Sequence, residues 1–121
     1  MSRIERLATT GDLDQLLSAA GESSVWLFKH SLTCPVSAEG LREFESYVAT
    51  VDEGDPLRFA LIEVQPARVV SNEVAERYGV RHESPQALLV EDGEVVWHAS
   101  HWQITSSSLT AAVAGERPAQ R

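Results

Sequence analysis

Lys29-His30-Ser31-Leu32-Thr33-Cys34-Pro35-Val36-Ser37 is the stretch in which one kind of secondary structure gives way to another. Upstream, Val25 to Lys29 is a short apolar run, too brief for a helix and rich in the bulky residues of a buried strand. Downstream, from Pro35 to about Val51, residues Val36, Leu41, Phe44, Val48 and Val51 fall along one stripe at helical spacing. Pro35 suits the first helical position, where its missing N–H costs nothing. Cys34 therefore stands where a strand ends and a helix begins. Unpaired N–H groups and the positive end of the helix dipole are predicted to point towards its sulfur, and both favour thiolate over thiol. Gly40 interrupts this helix at a cost of ~1 kcal/mol relative to alanine, for which a close approach by another backbone is the expected reason.

The same two periodicities alternate through the rest of the chain. Leu13, Leu16, Leu17 and Ala20 recur at helical spacing, with Thr9 and Asp12 in capping-box positions and Gly21 as the stop. Arg58 to Val64 reads as a second buried strand. Ser71 is predicted to cap a helix through Tyr78, which Gly79 ends. Ala87 to Glu91 and Glu94 to Ala99 flank Asp92-Gly93, a two-residue hairpin signal. A last, weaker helix spans about Ser106 to Ala114. The order α-β-α-β-α-β-β-α implies an α/β fold, with a central four-stranded mixed sheet flanked by helices.

At 121 residues the chain has the length of one domain, and residues 1–121 are read as one, with 116–121 as a loose tail. Ten basic against eighteen acidic residues give a net charge of −8, which argues against general affinity for nucleic acid or anionic membrane. No apolar run approaches the ~20 residues of a membrane span, and the charged start is no secretory signal. A cytoplasmic location is expected.

Cys34 is the chain's one cysteine, so an internal disulfide and an all-cysteine zinc site are both excluded. Ser31, Thr33 and Ser37 make a poor apolar nest for an inert thiol, which favours a reactive one. Lys29 and His30 bring positive charge near, but strand alternation sends them to opposite faces. Ser37 lies one turn along the helix, where its hydroxyl is predicted to approach the sulfur as a donor. His98 and His101, in Trp97-His98-Ala99-Ser100-His101-Trp102, lack a third ligand in sequence, and no metal is expected. Trp97 reads as core. His82 is expected beside Cys34 if its loop is, and Glu63-Val64-Gln65-Pro66 reads as an ordinary polar turn.

Cys34-Pro35-Val36-Ser37 after a strand resembles a thioredoxin-type active site in which serine stands for the second cysteine of a C-x-x-C motif. Tyr78-Gly79-Val80-Arg81 followed by Ser84-Pro85 resembles the approach to that fold's cis-proline, and Ala87 to Ala99 its closing hairpin. More narrowly, Phe28 to Ser37 together with His82-Glu83-Ser84-Pro85-Gln86 is similar to the monothiol bacilliredoxin (YtxJ-like) family, over about residues 5 to 114. Two departures stand out. Three residues separate Arg81 from Pro85 where thioredoxins usually have two, and the opening thioredoxin strand is expected to be absent.

The resemblance implies a thioredoxin-like fold and thiol–disulfide exchange with bacillithiol as co-substrate and no bound cofactor. Its partners would be bacillithiol and client proteins carrying it. Cys34 is the expected nucleophile, with His30, Thr33, Pro35, Ser37, Ser84 and Pro85 binding substrate or steadying the thiolate. A hydroxyl does not displace sulfur, so Ser37 cannot resolve a mixed disulfide. Cys34 must wait for an external thiol, which favours removing a small thiol from a client. Other chemistries open to this sequence are a thiol peroxidase or arsenate-type reductase, a monothiol iron–sulfur carrier, and a non-catalytic thioredoxin-like binding module.

Overall fold

The computed structural model describes residues 3–116. Its elements are β1 (Ile4–Arg6), α1 (Thr10–Ala20), β2 (Val25–His30), α2 (Pro35–Thr50), β3 (Arg58–Glu63), α3 (Arg68–Tyr78), β4 (Gln86–Glu91), β5 (Glu94–Ser100), a short 3-10 turn (His101–Gln103) and α4 (Ser106–Val113). The sheet has the order β1-β3-β2-β4-β5. Strands β1 and β2 both run parallel to β3, while β4 is antiparallel to β2 and β5 to β4.

The sheet therefore has five strands, not the four expected, and the opening strand is present. Ile4-Glu5-Arg6 is too short to show alternation. It is held by non-local pairing with Phe59, Ala60 and Leu61 and by the ion pairs Arg6–Glu63 and Arg58–Glu5. Helix α3 also begins earlier than predicted: Ala67 occupies the N-cap, and Ser71 lies inside the helix and buried.

Other local signals appear as read. Thr9 and Asp12 form a reciprocal capping box at the start of α1. Asp92 (φ 51°) and Gly93 (φ 79°) both adopt the positive φ that a two-residue type I′ hairpin requires. In the tail, the Glu116 amide returns to the Ala111 carbonyl at 2.9 Å, so Glu116 is tied to α4; residues 117–121 lie outside the described residues.

Two cores cover the sheet. On one face Trp26, Phe28, Phe59, Leu61, Leu89 and Trp97 pack against Phe44, Tyr47 and Val48 of α2 and Leu109 and Ala112 of α4. On the other, Val25, Leu27, Ala60, Ile62, Leu88 and Val90 pack against α1 and α3. The first face is aromatic: Phe28 stacks on Phe44 at 4.9 Å, and Trp26 meets Trp97 edge-on at 5.7 Å. The buried stripe of α2 runs through Ser37, Gly40, Phe44, Tyr47 and Val48, slightly rotated from the predicted one.

Gly40 has its reason on this face. A Cβ there would lie 3.1 Å from Pro85 Cβ, 3.2 Å from Pro85 Cγ and 3.5 Å from Phe28 Cζ. The close approach is by a proline ring rather than by a backbone, and it draws the loop before β4 against α2. No helix of the described residues is long and apolar enough to cross a membrane.

Candidate active site

Strand β2 delivers successive side chains to opposite sides of the sheet, and this sets the geometry around Cys34. Trp26, Phe28 and His30 face α2; Val25, Leu27 and Lys29 face α1 and α3. Beyond His30 the chain turns through Ser31, Leu32 and Thr33, and Cys34 becomes the N-cap of α2 with Pro35 at N1. The cap position leaves first-turn N–H groups of α2 without partners within the helix. Cys34 is partly exposed and not in a disulfide; Thr33 and Pro35 are exposed on either side.

On the α2 side, the fully buried Ser37 hydroxyl lies 3.0 Å from His30 Nδ1 and accepts the Ser31 amide at 2.8 Å. The predicted hydrogen bond from Ser37 to the sulfur does not form. One turn into the helix, its side chain points back into the end of β2, where both these groups await a partner. Ser37 thus fastens the cysteine loop to the strand.

A second fastening comes from Gln65, in the polar turn after β3. Its Oε1 accepts the Leu32 amide at 3.0 Å, and its Nε2 donates to Ser31 Oγ at 3.0 Å and reaches Thr33 Oγ1 at 3.5 Å. A polar residue two positions past a strand gave no sequence signal for this role.

On the α3 side, the buried Lys29 and Ser71 meet the exposed His82. The Lys29 ammonium donates to the Ser71 carbonyl at 2.9 Å and meets His82 Nδ1 at 3.2 Å. Ser71 Oγ reaches the same nitrogen at 3.2 Å. An ammonium can only donate, so Nδ1 is the acceptor and His82 carries its proton on Nε2. Burial lowers the Lys29 pKa to about 8. His82 is also lowered, first by desolvation and then by the charges of Lys29 and Arg68.

The loop before Pro85 is held at successive residues. Gln86 Nε2 donates to the Arg81 carbonyl at 2.9 Å, Lys29 and Ser71 hold His82, and Ser100 Oγ donates to Glu83 Oε2 at 2.8 Å. Ser84-Pro85 is a cis peptide, as the family resemblance implied. Pro85 is buried against Gly40, its carbonyl accepting the His101 amide at 3.0 Å. Ser84 is half-buried, and its backbone groups have no hydrogen-bond partner among the described residues.

A single cysteine thus caps a sheet-packed helix, a serine stands three residues on, and the cis-proline loop packs on the same helix at Gly40. The family model described as monothiol bacilliredoxin BrxC matches residues 5–109. The chain belongs to the monothiol bacilliredoxin family. A solved structure described as a candidate oxidoreductase with a thioredoxin fold is 33% identical, covers 91% of this chain and 93% of its own, and superposes with a TM-score of 0.78. The thioredoxin of Fasciola hepatica is 18% identical over 94% of this chain and 100% of its own, with a TM-score of 0.73. The Malassezia sympodialis thioredoxin is also 18% identical, over 93% and 89%, with a TM-score of 0.72; these two establish the fold alone. This bacilliredoxin is a thioredoxin-fold thiol–disulfide oxidoreductase, working by exchange with redox partner proteins.

Among the described residues no group of three or more His, Cys, Asp or Glu side chains is placed to hold a metal ion. Trp97 is core. His101, at φ 54°, begins the turn after β5, and Trp102 is 69% exposed.

Proposed function

We propose that Cys34 is the nucleophile that removes bacillithiol from client proteins. The thiolate attacks the bacillithiol sulfur of a client mixed disulfide. A Cys34–bacillithiol disulfide forms, the client disulfide bond breaks, and the client sulfur leaves as thiolate and takes a proton from solvent. Cys34 is thereby oxidised and the client cysteine reduced. The thiolate of a second bacillithiol then attacks the bound bacillithiol sulfur, releasing bacillithiol disulfide and restoring Cys34.

The observation that carries this reading is the state of Ser37. The position that holds a resolving thiol in a C-x-x-C enzyme is a buried hydroxyl already bound to Ser31 and His30. The mixed disulfide on Cys34 must be cleared from outside, which suits a small-thiol carrier. Pro35 and Thr33 border the sulfur, and the unpaired backbone of Ser84 offers a short edge on which a substrate chain can align. His30 supports the site through Ser37. Bacillithiol, clients that carry it, and a cytoplasmic setting are the family's implication.

The test is intact mass of the reduced protein after brief incubation with a client carrying bacillithiol on one cysteine, beside a glutathione-carrying control. Uptake of bacillithiol by Cys34, faster than of glutathione and abolished in Cys34→Ser, is expected. A client that stays modified would sink the proposal.

A further inference from the structure

The loop that carries Ser84 and Pro85 is tied down by side-chain contacts of two kinds. Some hold it to the hairpin: Gln86 of β4 donates to the Arg81 carbonyl at 2.9 Å, and Ser100 of β5 to Glu83 at 2.8 Å. His82 instead ties it to β2 and α3, through Lys29 and Ser71. That tie depends on the protonation of an imidazole.

His82 Nδ1 lies 3.2 Å from the Lys29 ammonium and 3.2 Å from Ser71 Oγ. An ammonium has no lone pair, so the contact to it lasts only while Nδ1 supplies one, which means while the ring is neutral. A second proton on the ring goes to Nδ1. Lys29, with a pKa of about 8, is still charged when that happens, so two cationic donors then face each other. Ser71 Oγ can turn to accept from the new N–H; Lys29 cannot. Nor is Lys29 free to retreat, because its side chain is fully buried and another of its protons is held by the Ser71 carbonyl at 2.9 Å. His82 is exposed and is the partner able to leave. Its surroundings agree. Desolvation, Lys29 from β2 and Arg68 from α3 all oppose a second proton, while Glu83 in the loop favours one. From β4 comes the neutral Gln86, engaged with the carbonyl of Arg81, the cationic residue just before the ring.

We propose that Lys29, Ser71 and His82 are positioning residues for exchange: while His82 is neutral they hold the loop so that the Ser84 backbone is presented to a client chain, and a proton on Nδ1 releases it. This rests on the exchange reading above and adds a pH gate that lies outside the thiol. Ser84 is two residues from His82, and its backbone groups are unpaired among the described residues, so no ladder bond of its own fixes it. Pro85 is fixed, by Gly40 against its ring and by the His101 amide on its carbonyl. The loop thus has a firm end at Pro85 and a conditional one at His82, and Ser84 lies between them.

The first arm of the experiment uses Cys34→Ser, in which no thiol titrates, and follows the His82 ring and the Ser84 amide by NMR from pH 8 to 5. The amide is expected to shift with the same midpoint as the ring, below the ordinary histidine value of ~6.5. Adding Lys29→Met should raise the midpoint of the ring and shrink the Ser84 shift, because Nδ1–H can then stay on Ser71. A shift caused only by the new charge nearby would keep its size. The second arm measures kcat/KM for a client peptide carrying bacillithiol on one cysteine, with bacillithiol as the clearing thiol, in the wild type and in His82→Asn. The asparagine oxygen can accept from Lys29 but takes no proton in this range. Thiol ionisation is common to both proteins, so the ratio of variant to wild type cancels it. That ratio should climb roughly threefold or more between pH 7.5 and 5.5, chiefly through KM. A flat ratio, a Ser84 amide that ignores the ring, or an amide shift undiminished by Lys29→Met overturns the positioning role while leaving exchange intact. No turnover by the wild type at any pH would instead bring down the exchange reading, and this inference with it.

Discussion

Ser37 Oγ stands 3.0 Å from His30 Nδ1, both side chains buried, and joins the first turn of α2 to the last residue of β2. The cysteine loop between them is closed by this contact and by the Ser31 amide on the same oxygen. The serine that takes the place of a second thiol is thus a structural pin.

Removing that pin should be costly. Ser37→Ala leaves the Ser31 amide without an acceptor in a buried position, and about 1–3 kcal/mol of stability should be lost. Urea denaturation reads the loss. A variant as stable as the wild type would mean that water replaces the hydroxyl without penalty.

Gly40→Ala sets two effects against each other. Helix propensity favours alanine by ~1 kcal/mol, while the added methyl would sit 3.1 Å from Pro85 Cβ, with Phe28 behind it. Pro85 and Phe28 are buried, and overpacking costs ~1–3 kcal/mol. A net loss of about 1 kcal/mol is expected, with slower exchange as Pro85 is pushed from α2. A raised Tm would show that the proline ring yields.

Lys29 should make stability rise with alkaline pH. Its folded pKa is about 8 against an ordinary 10.5. Between those values the unfolded chain binds more protons, so unfolding free energy increases as pH climbs from 8. The gain is bounded at roughly 3 kcal/mol. It is cut short above pH 10, because Tyr47 and Tyr78, both raised by burial, ionise more readily once unfolded. Urea titrations at pH 7.5, 8.5 and 9.5 should show the rise in the wild type and a flat profile in Lys29→Met. His82, lowered by burial, works in the same sense at lower pH: stability is lost as pH falls below ~6.5.

Gln65→Ala should loosen the cysteine loop without unfolding the protein. The Leu32 amide loses its acceptor, but both residues are exposed, so no more than about 1 kcal/mol is at stake. Faster hydrogen exchange at Leu32 is the expected sign, with little change in Tm.

How much the sequence disclosed depended on how local each cause was. The α1 capping box, the Gly79 stop, the Asp92-Gly93 hairpin and the strand–cysteine–helix junction are written within a few neighbouring residues, and the fold and its thiol could be read from them. Strand β1 exists because β3 lies beside it, a relation that three residues cannot announce. Ser71 resembled a cap because serine often is one; its place inside α3 follows from packing against the sheet. Gln65 and Lys29 act across 32 to 53 positions of chain, through partners that only the folded sheet brings near.

The alternation of Lys29 and His30 across β2 has a consequence for how such a protein changes over time. Neighbours in the chain, they sit on opposite sides of the sheet: one shares its surroundings with Ser71 of α3 and with His82, the other with Ser37 of the helix that carries the thiol. Substitutions on the two sides have few partners in common, so their effects should largely add. The Lys29–Ser71–His82 cluster can then change while the surroundings of Cys34 and Ser37 stay under a different set of constraints.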